Sequence, residues 1–433
     1  MILSNITVPL LGLVDTAVVG HLSDAYYLGG VAVGATMISI IYALAGFLRM
    51  STTGVTAQAC GRHDSAAQLT GLFQGAVIAM MIAFPLMLFG PWLVPWLLQF
   101  SDSSVHVQFY AEQYFSIRIF SAPAALLNLV LLGWMLGMQN AKGPMWHLII
   151  INSVNIVLDI VFVYLLEWQV AGVAWASLIA DYVGVAVGLV LVRQICIQRQ
   201  LLSAEQALPL WWRWQQLQPL LLINRDIMLR TLCLHSCFAF VTFQGANLGD
   251  HVVAANAILM NFLMLLSFAM DGIAYAVEAL VGKAYGQRNI AAMRQAIADG
   301  QSWGVITALL FTVGFTLFGS ELIHLMSDIY LVINTAQVYL PWLILLPFVS
   351  LWCYLLDGVF IGLTRAKDMR DTTFLAALLG FVLPWLAIYF LAPVQWHNHG
   401  LWLAVNGLLL LRGLLLALRL RRFFHHFMAQ LSQ

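Results

Sequence analysis

The segment GWMLGMQNAK at residues 133–142 returns as GVFIGLTRAK at residues 358–367. Gly133, Gly137, Ala141 and Lys142 are matched by Gly358, Gly362, Ala366 and Lys367, all at an offset of 225. A distant region keeps the same offset. Ala59-Cys60-Gly61-Arg62 is answered by Ala284-Tyr285-Gly286-Gln287, and Ala66-Ala67 by Ala291-Ala292. Two separated regions sharing one offset point to an internal repeat, one copy in each half of the chain.

The residues around these motifs are apolar. Of 433 residues, 62% are hydrophobic and 9% are charged, against about 25% charged in soluble domains. A water-soluble fold cannot hide that much apolar surface, so most of the chain must face lipid. A spanning helix needs about 20 mostly apolar residues. Twelve stretches qualify, near 1–20, 28–58, 68–98, 110–138, 145–166, 170–195, 221–247, 251–282, 296–318, 331–362, 371–391 and 399–420. The predicted fold is an all-α polytopic membrane protein, with twelve transmembrane helices in two pseudo-symmetric six-helix bundles. Residues 1–195 form the first lobe, 196–220 a cytoplasmic or interfacial linker, and 221–433 the second lobe. With six spans per lobe both copies start on one side, so the repeat is parallel.

The distribution of charge supports this count. Connections after even-numbered spans carry Arg62, Lys142, Arg193, Arg199, Lys283, Arg288, Arg365 and Lys367, among others. Connections after odd-numbered spans hold acids instead, such as Asp24, Asp102, Glu167, Asp250 and Asp328. Cationic loops stay in the cytoplasm, so both termini are expected there, in a bacterial inner (plasma) membrane. The linker contains Trp211-Trp212-Arg213-Trp214, a composition suited to the headgroup layer.

An ionisable group inside a span is costly and marks a pathway by default. Asp15 is the sharpest case, having no Lys or Arg near it in sequence. Asn152, Asn155 and Asp159 share one face of the fifth span, and Ser177 and Asp181 one face of the sixth. Together with Asp15 they are expected to line one polar pocket in the first lobe. The second lobe offers Asp271, Glu278 and Asp357. For these acids an ion pair with Arg49 or Arg118 is the competing expectation. Cys233 and Cys237 read as two small buried residues. Prolines 9, 123, 347 and 384 lie inside spans and can break backbone hydrogen bonds there. No GxxxxGK[ST] loop, metal-ligand spacing or nucleophile–base pair occurs in the sequence, so an ATPase, a metal centre and an enzyme are not expected. Zero net charge argues against a nucleic-acid partner.

Several stretches together resemble the multidrug and toxic compound extrusion (MATE) family, in its DNA-damage-inducible protein F (DinF) branch. They are NITVPLLGLVDTAVVGH at 5–21, LRMSTTGVTAQ at 48–58, NRDIMLR at 224–230, DGIAYAVE at 271–278 and WCYLLDGVFIG at 352–362. The resemblance implies secondary active multidrug efflux: antiport of small organic, often cationic, compounds against protons or sodium, by alternating access. It places the first-helix acid on Asp15 and the polar first-lobe cluster on Asn155, Ser177 and Asp181. No cofactor is implied beyond the coupling ion, with a proton ahead of sodium, and a monomer is the default. Family members begin the first helix after a short segment, whereas here it opens at Met1. About 20 residues at 1.5 Å each give about 30 Å, the thickness of the hydrocarbon core. An inactive fragment is therefore one alternative. A flippase for a lipid-linked precursor is another. Such a flippase needs a cationic cavity for phosphate, and the intramembrane cations expected here are Arg49 and Arg118 alone.

Overall fold

The computed structural model describes residues 25–98, 104–201 and 214–431. The first predicted span, with Asp15 and Pro9, and the middle of the linker lie outside the described residues. The chain divides into two compact units, Leu3–Leu221 and Leu222–Gln433. Among the described residues, eleven helical stretches are long and apolar enough to cross a membrane, and no strand occurs.

In the first unit α1 (Ala25–Leu44) and α2 (Phe47–Gly61) form one span, broken by a turn at Ala45–Gly46. α3 (Ser65–Leu98) follows. Next, α4 (Val105–Arg118) passes through a 3-10 turn (Ile119–Ser121) into α5 (Ala122–Gly137). α6 (Lys142–Asp159) ends in a π-helical turn (Ile160–Leu165), and α7 (Gln169–Gln198) completes the unit. α8 (Trp214–Asn247) runs into the second unit, which continues with α9 (Asp250–Gly286), α10 (Ile290–Met326) and α11 (Tyr330–Gly362). α12 (Ala366–Ala376), a π-helical turn (Ala377–Val382) and α13 (Leu383–Leu391) make one further span, and α14 (His397–Leu431) ends the chain. Large apolar side chains such as Trp92, Leu310, Phe318 and Phe390 point outward. With every helix satisfying its own backbone, that outward surface suits lipid.

The sequence repeat is a repeat of contacts. Gly133 on α5 lies so close to the carbonyl of Arg49 on α2 that a Cβ there would sit under 3.0 Å from it. Gly358 on α11 meets the carbonyl of Ala274 on α9 in the same way. Arg49 and Ala274 are themselves 225 apart. Gly137 packs on Thr53 and Ala57, and Gly362 on Glu278 and Gly282, at the same offset. Helices in lipid gain no hydrophobic drive toward one another, so small residues that let backbones touch decide which helices pair.

The connecting turns repeat as well. His63 (φ 56°) and Arg288 (φ 55°) adopt the left-handed conformation two residues past the helix end, as do Gln139 (φ 60°) and Thr364 (φ 55°). Asp64 Oδ1 then accepts from the amide of Ala67 at 2.9 Å, and Asn289 Oδ1 from that of Ala292 at 3.0 Å, each capping the next helix. Both units also carry a π-helical turn, but these start at residues 160 and 377, an offset of 217. The copies have thus diverged in length by eight residues between the glycine motif and this turn. Pro123 and Pro384 lie inside spans, as read, at points where a new helical segment opens: Pro123 after the 3-10 turn before α5, and Pro384 after the π turn before α13. Such positions need no backbone donor. Pro347 lies inside α11.

Candidate functional site

α6 presents Asn152, Asn155 and Asp159 on one face, and all three are buried. α7 packs along α6 and brings Ser177 to the middle of that face. The Asn155 amide, oriented by its neighbours, donates to Asp159 Oδ2 at 3.0 Å. It accepts from the Ser177 amide at 3.2 Å and from Ser177 Oγ at 2.9 Å. Asp159 and Asn155 are 0% and 2% exposed. A carboxylate, an amide and a hydroxyl thus form a connected polar cluster inside an apolar bundle, the arrangement expected of a proton or cation site.

Asp181 does not belong to it. Its Oδ2 lies 2.6 Å from Nη1 of Arg118 at the end of α4. The same Nη1 donates to Ser121 Oγ at 2.6 Å, Ser121 also bonds Tyr42 at 2.8 Å, and the Arg118 guanidinium lies over the Tyr42 ring at 5.7 Å. Asn128 Nδ2 donates to the Asp181 carbonyl at 2.9 Å, and His147 links Asn128 to the Gly184 carbonyl. Among the described residues, those expected in one first-lobe pocket fall into two networks. Asp159, one turn beyond Asn155, stands beside Asn155 and Ser177, while Asp181 belongs to an arginine network. The i, i+4 spacing of Asn155 and Asp159 was visible in the sequence. What the sequence lacked was the rotation of α7 that carries Asp181 toward α4.

In the second unit Asp357 on α11 accepts hydrogen bonds on one oxygen from both Arg230 of α8 and Arg412 of α14. All three side chains are buried. An ion pair is thus present, but neither Arg49 nor Arg118 supplies it. Intramembrane arginines also number more than the two expected, since Arg230 and Arg412 lie inside spans. Two guanidiniums on one carboxylate leave a formal surplus of positive charge, and Asp271 on α9 acts electrostatically on Arg230 from nearby. Tyr354 and Ser267 bond to one another beside this group. Glu278 is fully buried two turns further along α9, where its carbonyl packs on Gly362. A further polar group had no counterpart among the sequence candidates. Asn256 and Asn398 exchange amide hydrogen bonds at 2.7 and 3.1 Å, and the Trp402 indole donates to Asn256 at 2.9 Å. These residues are scattered over 146 positions, so no local spacing could mark them.

The MatE family model matches residues 1–161 and 227–386. The chain is 45% identical over 422 residues to DNA damage-inducible protein F of Escherichia coli K12, covering 98% of this chain and 90% of that protein. It is 25% identical to a probable multidrug resistance protein NorM of Bradyrhizobium diazoefficiens, over 94% and 89% of the two chains. The fold matches the outward-facing structure of a multidrug resistance MATE family transporter of the MOP superfamily. The TM-score is 0.87 at 18% identity, over 99% of this chain and 94% of that one. With the repeated bundles and buried polar clusters of both units, these matches establish that the chain belongs to the MatE family, whose members are membrane transporters and not enzymes.

Proposed function

We propose that this protein exports small organic, often cationic, compounds in exchange for protons, or alternatively sodium, by alternating access in a bacterial inner membrane, with both termini cytoplasmic. The observation that carries this reading is the Asp159–Asn155–Ser177 cluster buried in the first unit. Asp181 and Asp357 are each paired with arginine, and within the first unit the proposal assigns coupling to Asp159 together with Asp15. Binding of the ion at these acids rearranges the first helix and disfavours the drug, and drug binding in turn expels the ion. Such reciprocal coupling is worth about 1–3 kcal/mol in typical systems.

The lipid-linked precursor reading requires free cations facing a phosphate. Arg230 and Arg412 both turn to Asp357, which supports the organic-cation reading instead. Efflux of a fluorescent organic cation from proteoliposomes, under imposed pH and sodium gradients in turn, tests the proposal. Efflux driven by the pH gradient alone is expected. Efflux only with sodium reassigns the coupling ion, and none under either gradient overturns the proposal in favour of the flippase.

A further inference from the structure

α8 carries Cys233 and Cys237 at i and i+4, a spacing that stacks two side chains on one helix face with Cβ atoms about 5–6 Å apart. Both thiols are free. A disulfide needs Cβ atoms about 3.5–4.5 Å apart, so an intact helix keeps the pair reduced and adjacent. Both thiols line a cavity of about 440 Å³, within the range of small-molecule pockets. Aromatic rings share this lining. Phe240 meets Trp385 edge-on, with ring centroids 4.8 Å apart, and Phe381 at 5.8 Å. Phe381 and Val382 come from the π-helical turn that precedes α13, a type of irregularity that often marks functional sites.

The donor set restricts what can bind. Zinc takes four ligands. His235, two residues from each thiol, falls on the opposite side of the helix and is exposed. No group of three or more His, Cys, Asp or Glu side chains able to hold a metal occurs among the described residues. Two soft thiols beside an apolar, aromatic cavity suit a thiophilic centre that needs two sulfurs and brings its own organic third substituent. We infer that Cys233 and Cys237 form a bidentate site for trivalent organic arsenicals, whose organic group occupies the cavity walled by Phe240, Phe381 and Trp385. The step needs no redox partner. An organic arsenous acid, RAs(OH)₂, exchanges its two As–O bonds for two As–S bonds. Each thiol proton leaves with a hydroxide as water, and arsenic stays trivalent.

The test uses the full-length protein in detergent, with phenylarsine oxide as probe. One phenylarsenic group per chain is expected, protecting Cys233 and Cys237 from maleimide. An added small dithiol should reverse the binding, and the same concentration of a monothiol should not. Proteolysis and mass spectrometry locate the adduct on the unmutated protein. Cys233→Ala and Cys237→Ala should each weaken binding at least about 100-fold, because the second thiol then no longer acts at high effective concentration. Burying a phenyl ring should favour phenyl- over methylarsenical by at least about 10-fold, and Trp385→Ala should erase that preference while the methyl compound still binds. An adduct on Cys60, Cys196 or Cys353, undiminished binding to either single-thiol variant, or equal affinity for the two arsenicals overturns the inference.

Discussion

Asp181 Oδ2 lies 2.6 Å from Arg118 Nη1, and this contact separates Asp181 from Ser177, its neighbour one turn away on the same helix face. Both partners are largely withdrawn from solvent, with side-chain exposures of 17% and 12%. Breaking such a pair from one side strands a charge, whereas replacing both partners with apolar residues does not. Arg118→Met is therefore expected to destabilise the protein by about 3–5 kcal/mol, and Arg118→Met with Asp181→Leu to recover most of that. Thermal unfolding in detergent reads the stability. Drug-driven proton release should survive in the double variant, and its loss there would return Asp181 to the coupling site.

Asp159→Asn keeps the shape of the buried cluster and removes its charge. The expected result is a fall in drug-driven proton release between about 5- and 150-fold, the span of typical coupling energies, in protein that unfolds at the normal temperature. Asp15→Asn should abolish the release, and Ser177→Ala should reduce it less than Asp159→Asn does, since only one neutral hydrogen bond is lost. Wild-type proton release from either acid variant removes that acid from the mechanism.

Asp357 holds together three helices through two arginines. Asp357→Asn leaves two buried guanidiniums facing one another, at an expected cost of about 3–5 kcal/mol. Adding Arg412→Met should restore part of the loss, because one of the two like charges is gone. If the double variant were less stable than Asp357→Asn, charge balance would not be what Asp357 supplies.

Gly133→Ala and Gly358→Ala each drive a methyl group into a backbone carbonyl of the neighbouring helix. Losses of about 1–3 kcal/mol are expected for each, the usual range for overpacking, and similar in the two units. Gly314 is the control. A Cβ there meets nothing within 4 Å, so Gly314→Ala should stabilise α10 by up to about 1 kcal/mol through helix propensity alone. Detergent melting curves for the three variants distinguish packing from propensity.

The long apolar runs, the alternation of basic and acidic connections and the 225-residue offset were legible without coordinates, because lipid imposes them on the chain locally. A span must be apolar over its own length, a loop keeps its own charge, and a glycine needed for close approach is needed in both copies of a repeat. The face shared by Asn152, Asn155 and Asp159 was equally legible, since helical periodicity is a property of one segment. Which faces meet is not. Tertiary packing alone joined Asn155 and Ser177 to Asp159 rather than Asp181, gave Asp357 to Arg230 and Arg412, and paired Asn256 with Asn398. Each of those choices depends on the rotation and height of one helix against another. Small residues and polar contacts far apart in sequence set that arrangement, and no hydrophobic pattern along a single helix records it.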